Sequence, residues 1–194
     1  QFNDDDLSCI IRGEGMGSPK VTPGTAAAFG GVSEELAHFG IPCGCCSDGP
    51  SGMRLDSGMK AFSLPNGTLL ASTFNTALVE KLYSFTGIEM VKNKIDALLG
   101  PGMNIHRHPL NGRNFEYFSE DPYHAGKMAA AYVRGIQSKG IAACPKHFAA
   151  NSQELRRMAN DSVVDERTFR EIYTTGFEIA IKEGKSKSIM SSYN

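Results

Sequence analysis

The stretch Gly140-Ile-Ala-Ala-Cys-Pro-Lys-His147 decides how the rest of the chain is read. Ile141 to Cys144 is a short apolar run without polar alternation, the pattern of a strand buried on both faces. A helix leads into it. Asp121-Pro122 supplies a cap and then a proline at the first helical position, and Met128, Ala129, Tyr132 and Ile136 form one apolar stripe before Gly140 ends it. Directly after the strand, past Pro145, stand Lys146 and His147, two adjacent cationic or donor side chains that are hard to justify as packing.

The same unit recurs on either side. Ile41 to Cys46 predicts a strand that runs into the turn-rich Ser47-Asp-Gly-Pro-Ser-Gly52. A helix is expected from about Asn75, with Leu78, Leu82 and Phe85 on its apolar face and Val79 beside them. Ile95 to Leu99 predicts the next strand, followed by the loop from Gly100 to Asn104 and beyond. Asp165 can cap a last helix with Phe169, Ile172, Tyr173, Gly176 and Ala180 along one side, and Ser188 to Ser192 completes a fourth strand. Strand, loop, helix, strand is the grammar of a parallel sheet covered by helices. The loops after the strands are long and those before them brief, which suits a barrel whose site lies at the C-terminal strand ends. An open, doubly wound sheet fits the pattern too.

The bulk properties are those of one globular domain. The chain has 194 residues, 41% hydrophobic and 21% charged, with a net charge of -1. No basic stripe marks a nucleic-acid partner, and no apolar run reaches the roughly eighteen residues of a membrane span. Cys9, Cys43, Cys45, Cys46 and Cys144 are odd in number, which argues against a disulfide framework and for a reducing, cytoplasmic compartment, an upstream signal peptide aside. Zinc spacing is absent, so no metal is expected. Gly13-Glu-Gly-Met-Gly17 has the wrong spacing for a dinucleotide loop, and Ser18-Pro19 stands where its helix would start. The polar opening from Gln1 to Asp6 and the close on an apolar strand read as a piece of a longer protein.

Four clusters follow strand ends, each with two readings. Asp48-Gly-Pro-Ser-Gly-Met-Arg54 can offer a carboxylate to two neighbouring sugar hydroxyls, or form an ordinary Asp-Gly turn. In Gly112-Arg-Asn-Phe-Glu-Tyr-Phe-Ser-Glu-Asp-Pro122, Arg113 can fork towards a ligand between aromatic walls, or pair with Glu116 or Glu120. Lys146 and His147 can be donors to a ligand, or a structural ion pair. In the last cluster, Met190 to Tyr193, a lone tyrosine belongs as readily to a core or rim.

Together, in this order, the four clusters resemble glycoside hydrolase family 3, of the β-glucosidase type, in the N-terminal part of its barrel domain. The match also takes in Lys146-His147-Phe148-x-x-Asn151-x-Gln153-Glu154 and Met190-Ser-Ser-Tyr193-Asn194. The resemblance implies an α/β fold, about the first half of a (β/α)8 barrel, over residues 1–194. It implies that Asp48, Arg113, Lys146 and His147 hold ring hydroxyls, that Met190 packs against the sugar and that Tyr193 stands beside the nucleophile, with Arg157 as a further candidate. The implied activity of the whole protein is retaining hydrolysis of terminal β-D-glucosyl or β-xylosyl residues, without a cofactor. Phe148-Ala-Ala-Asn151 stands where the N-acetylglucosaminidase branch has a glycine-rich segment with a catalytic histidine. The family's nucleophile, an aspartate, is expected beyond residue 194, and its acid/base outside the barrel. This stretch alone is then inactive, and its partners are a β-linked saccharide and whatever completes the barrel, the remainder of its own protein or a second chain. The alternative is a sugar-binding or assembly fragment without catalysis.

Overall fold

The computed structural model describes residues 2–194. The first element is helix α1 (Asp4–Arg12). Asn3 accepts from the Asp6 amide at 2.8 Å, and the Asp6 carboxylate accepts from the Asn3 amide at 3.0 Å. This reciprocal cap satisfies two donors that a helix end leaves orphaned, and the acidic first turn suits the helix dipole.

Next come strand β1 (Ala27–Gly30), helix α2 (Glu34–His38) and strand β2 (Cys43–Asp48). Strand β1 runs antiparallel to β2, pairing Ala27 with Cys46 and Gly30 with Cys43. The parallel sheet expected from the sequence thus gains an antiparallel strand at its first edge that sequence reading did not select. Ala27-Ala-Phe-Gly30 carries little strand propensity and is held by its partner, so nothing local announces it.

The parallel core then follows. Helices α3 (Gly67–Ala71) and α4 (Thr76–Lys92) lead to strand β3 (Ala97–Leu99), and helix α5 (Pro122–Gln137) leads to strands β4 (Ala142–Ala143) and β5 (Lys146–Phe148). A short helix α6 (Glu166–Thr168), a π-helical stretch (Phe169–Thr174) and helix α7 (Thr175–Lys182) lead to strand β6 (Met190–Ser191). Strands β2, β3 and β4 are parallel neighbours, as are β5 and β6. The two sheets are joined by backbone: Lys146 donates to the Pro101 carbonyl and accepts from the Met103 amide, both at 2.9 Å. The α/β architecture with a parallel core is that of part of a (β/α)8 barrel.

Helix α5 buries Met128, Ala129, Tyr132 and Ile136 as its stripe predicts, and Asp121 caps it through the amides of Tyr123 and His124. Helix α4 turns a different face inward from the one expected. Val79, Tyr83, Thr86 and Met90 are buried, whereas Leu78 and Phe85 are exposed and Leu82 is only partly covered. Apolar residues lie on more than one side of this helix, and contact with α5 selects among them: the Tyr83 and Tyr132 rings meet at 3.7 Å. The last helix is corrected too. The π-helical stretch places Gly176, Phe177 and Ala180 in the core and leaves Ile172 exposed, because a wider turn rotates the residues before it relative to those after.

Candidate functional site

Parallel strands end side by side, so residues far apart in sequence meet at one rim. Asp48 is the last residue of β2 and Lys146 the first of β5. Lys146 Nζ donates to Asp48 Oδ1 at 2.7 Å. The lysine side chain is 3% exposed and the aspartate 38%, so the cation is held inside and the carboxylate faces outward. Burial raises the Asp48 pKa, but the Lys146 cation, the Gly49 amide and Arg113 together outweigh it and hold the carboxyl below its ordinary range.

The loop between β3 and α5 brings Arg113 to the same rim. Its Nε is bound by the carboxylate of Glu116, which is buried, and its Nη1 lies 3.9 Å from Glu154. Burial alone would disfavour the guanidinium charge; the pairing with Glu116 more than restores it. Arg113 is therefore ion-paired, to Glu116 and not Glu120, and it also lines the cleft. Gly102 leaves the room for Glu116, since a Cβ there would stand 2.7 Å from Oε2. The resulting open cleft of about 450 Å³ is walled by Asp48, Arg54, Phe62, Arg113, Phe115, Glu116 and Lys146.

His147 lies behind this wall, 6% exposed. Its amide donates to Asn104 Oδ1 at 2.8 Å, and Asn104 Nδ2 returns a bond to its carbonyl at 2.9 Å. Its Nδ1 is 3.3 Å from both Asn104 Oδ1 and the Tyr117 hydroxyl. Tyr117 is buried, which pushes its hydroxyl pKa up, and it accepts from Asn151 Nδ2 at 3.0 Å. The network continues through Glu154, which accepts from Asn151 at 3.0 Å and from Arg157 at 2.9 Å. The Arg157 guanidinium stands 5.2 Å from the Tyr193 ring centre. Tyr193 is exposed, and Met190 pairs with Lys146 in strand register.

The fold thus gathers Asp48, Arg113 and Lys146 around one cleft and ties His147 to it from behind. Arg157, Tyr193 and Met190 belong to the adjoining edge and do not wall the cleft. Sequence reading named Glu116 as a partner of Arg113, set Tyr117 among the aromatic walls and carried Arg54, Asn151 and Glu154 within motifs, but it gave Arg54, Asn151, Glu154 and Asn104 no part in the site. Arg54 closes the Asp48 run, and Glu116 stands three residues after Arg113 as Glu154 does before Arg157, so charge spacing was the available signal.

His147 yields a pH prediction. Burial first, then Arg113, Lys146 and Arg157, push its pKa down to about 3 from an ordinary value of about 6.5. Between those values the unfolded chain binds a proton that the folded chain refuses, so stability falls as pH falls through that window. The slope should reach about 1.4 kcal/mol per pH unit. Urea unfolding between pH 7 and pH 4.5 should show this loss for the parent chain and a shallower one for His147→Gln. A native imidazole that titrates near its ordinary value by NMR would overturn it.

Among the described residues no group of three or more metal-ligating side chains occurs, the five cysteines are free thiols, and no helix is long and apolar enough to cross a membrane. What the cleft offers is a set of fixed donors and acceptors: an outward carboxylate backed by an ammonium, and a guanidinium backed by a buried glutamate. Both of its buried or half-buried carboxylates already serve cations.

Comparison with known proteins adds a second line. The model of the glycosyl hydrolase family 3 N-terminal domain matches residues 6–194. A beta-glucosidase of Ruminococcus albus is 64% identical over 193 residues, 100% of this chain and 20% of that protein. A crystal structure of a beta-glucosidase from Paenibacillus barengoltzii superposes with a TM-score of 0.98 at 63% identity, over 100% of this chain and 21% of that one. Beta-glucosidase 3B from Thermotoga neapolitana, in complex with α-D-glucose, gives 0.84 at 44% identity, over 89% of this chain and 25% of that one. The chain spans about a fifth to a quarter of the length of these relatives.

Proposed function

Because the chain belongs to the glycosyl hydrolase family 3 N-terminal domain family, we propose that its cleft holds the terminal ring of a β-linked glucoside, or of a related saccharide such as a β-xyloside. The observation that carries this reading is the 2.7 Å pair between Asp48 and Lys146, set beside Arg113 at the mouth of the parallel strands. Vicinal ring hydroxyls present a donor and an acceptor each, and an aspartate flanked by cations can accept from two of them while the cations donate to their neighbours. Hydrogen bonds of this kind that tighten in the transition state supply several kcal/mol of rate enhancement in glycosidases. His147, neutral, turns Nδ1 to Asn104 and Tyr117 and leaves Nε2 for a ring hydroxyl, which can either donate to it or accept from it. Tyr193, Met190 and Arg157 are assigned to the side of the site next to the reacting carbon.

The chemistry itself is assigned elsewhere in the protein that carries this domain. A retaining mechanism needs two carboxylates about 5 to 5.5 Å apart, one as nucleophile and one as acid/base. Asp48, held ionised by Lys146, has no proton to give as the acid, and both it and Glu116, bound to Arg113, are already engaged by cations, so we assign both to binding. The nucleophile, an aspartate, is placed on a strand following the one that carries Met190 and Tyr193. That strand, from the remainder of the protein or a second chain, would also cover Phe148 and Ile189, which are 40% and 42% exposed beside β6. Taken alone, residues 1–194 are therefore a sugar-gripping unit, the reading that the engaged carboxylates favour.

Calorimetry tests this. The purified chain is expected to bind glucose, Lys146→Ala to lose that binding at unchanged far-UV circular dichroism, and neither to turn over an aryl β-glucoside. Absence of glucose binding by the folded chain would sink the assignment of the cleft, and clear turnover would sink the division of labour.

A further inference from the structure

Two Asn-Gly pairs occur in the chain, Asn66-Gly67 and Asn111-Gly112. In such a pair no Cβ obstructs the glycine amide, which can reach the carboxamide carbon of the asparagine before it, so these are the chain's most labile asparagines. The fold treats the two pairs oppositely.

Asn66 is locked. Its Oδ1 caps α3 by accepting from the Leu69 amide at 3.0 Å, and Gly67 is buried as the first residue of that helix. A Cβ on Gly67 would stand 2.2 Å from the Glu116 carbonyl oxygen, and Thr68 Oγ1 donates to the Asn114 and Tyr117 carbonyls at 2.7 and 3.0 Å. Closing a ring there would give up the cap and leave no room for the altered main chain.

Asn111 is held far less. It stands in the loop between β3 and α5, where residues 107–110 and Gly112 are exposed. Among the described residues, the Gly112 amide has no acceptor and Asn111 Oδ1 has no donor. Turning the carboxamide onto that amide forfeits only the 3.2 Å bond from Asn111 Nδ2 to Asn114 Oδ1.

We propose that Asn111 is a site of spontaneous deamidation, and that its conversion unseats Arg113. The Gly112 nitrogen bonds to Asn111 Cγ, its proton and the carboxamide NH2 leave as ammonia, and a succinimide ring forms. Water then opens either carbonyl of the ring. Attack at Cγ gives aspartate. Attack at the main-chain carbonyl gives isoaspartate, which routes the backbone through the side chain and adds one carbon to it. That carbon enters two residues before Arg113, and a misplacement of about 1 Å in a positioning group costs up to about a hundredfold. The effect on sugar binding rests on the reading of the cleft; the deamidation does not.

Trypsin, cutting after Arg107 and Arg113, isolates Asn111 in the peptide His108–Arg113. After days in mildly alkaline buffer, the folded chain should yield this peptide heavier by about one mass unit, while the peptide carrying Asn66 stays unchanged until urea unfolds the chain. Gly112→Ala should fold normally, since its Cβ would meet only Glu154, at 3.6 Å, in a backbone conformation open to any residue. It should slow the conversion about tenfold or more. Glucose affinity should fall with the converted fraction in the parent chain and hold in Gly112→Ala. An unchanged His108–Arg113 peptide, or conversion of both asparagines at one rate in the folded chain, would overturn the site. Full glucose affinity in a converted chain would overturn the effect on Arg113. No glucose binding by the fresh chain would overturn the cleft reading and that effect with it, and leave the deamidation standing.

Discussion

Asp48→Ala is expected to cost the chain about 3 kcal/mol of folding stability, more than Lys146→Met costs, although the two substitutions break the same 2.7 Å contact. The asymmetry comes from burial. Removing Asp48 leaves an ammonium that is 3% exposed without its counter-charge and with Arg113 close by. Removing Lys146 leaves a carboxylate that is 38% exposed and can take up water, while methionine refills the buried volume. The figure sits at the lower end of the range for a broken buried pair because Asp48 is half-solvated. Both variants should lose glucose binding. Urea denaturation with glucose titration separates the effects: equal losses of stability would mean that Lys146 is less buried in solution than in this structure.

Gly49→Ala is expected to be at least as damaging, at about 3 kcal/mol or more, by a different route. Gly49 adopts φ +120°, and a Cβ there would stand 1.9 Å from the Gly52 carbonyl oxygen. Neither atom belongs to a flexible side chain, so the turn itself must open, and Asp48 moves with it. Gly58 is the control. Its φ is +85°, yet nothing lies within 4 Å of its added Cβ, so Gly58→Ala should cost only about 1 kcal/mol from backbone strain. Thermal unfolding of the two variants should separate them by several degrees or more, and Gly49→Ala alone should lose glucose binding. Equal melting temperatures would show that the turn relaxes freely.

Much of this was legible in the sequence. Ile141 to Cys144 without polar alternation marked a strand buried on both faces, and the Asp121 cap fixed the start of the helix before it. Asp48 and Lys146 could be singled out because they stand where apolar strands end, and Arg113 because its planar fork of donors sits among aromatic residues in the loop after β3. Strand β1 could not be read, since its alanines and glycine take their conformation from β2. The inward face of α4 could not be read either, because apolar residues on several sides left the choice to Tyr132 of its neighbour.

What the sequence determined by itself is therefore local: periodicity, caps and the residue types at strand ends, each set by interactions within a few positions. Tertiary structure alone decided that Lys146 would be buried and Asp48 half-open, and that Glu116 rather than Glu120 would hold Arg113. Those outcomes depend on contacts such as the one between Asp48 and Lys146, 98 residues apart. Burial and charge pairing are properties of what surrounds a residue, and the chain assembles those surroundings only when its strands lie side by side.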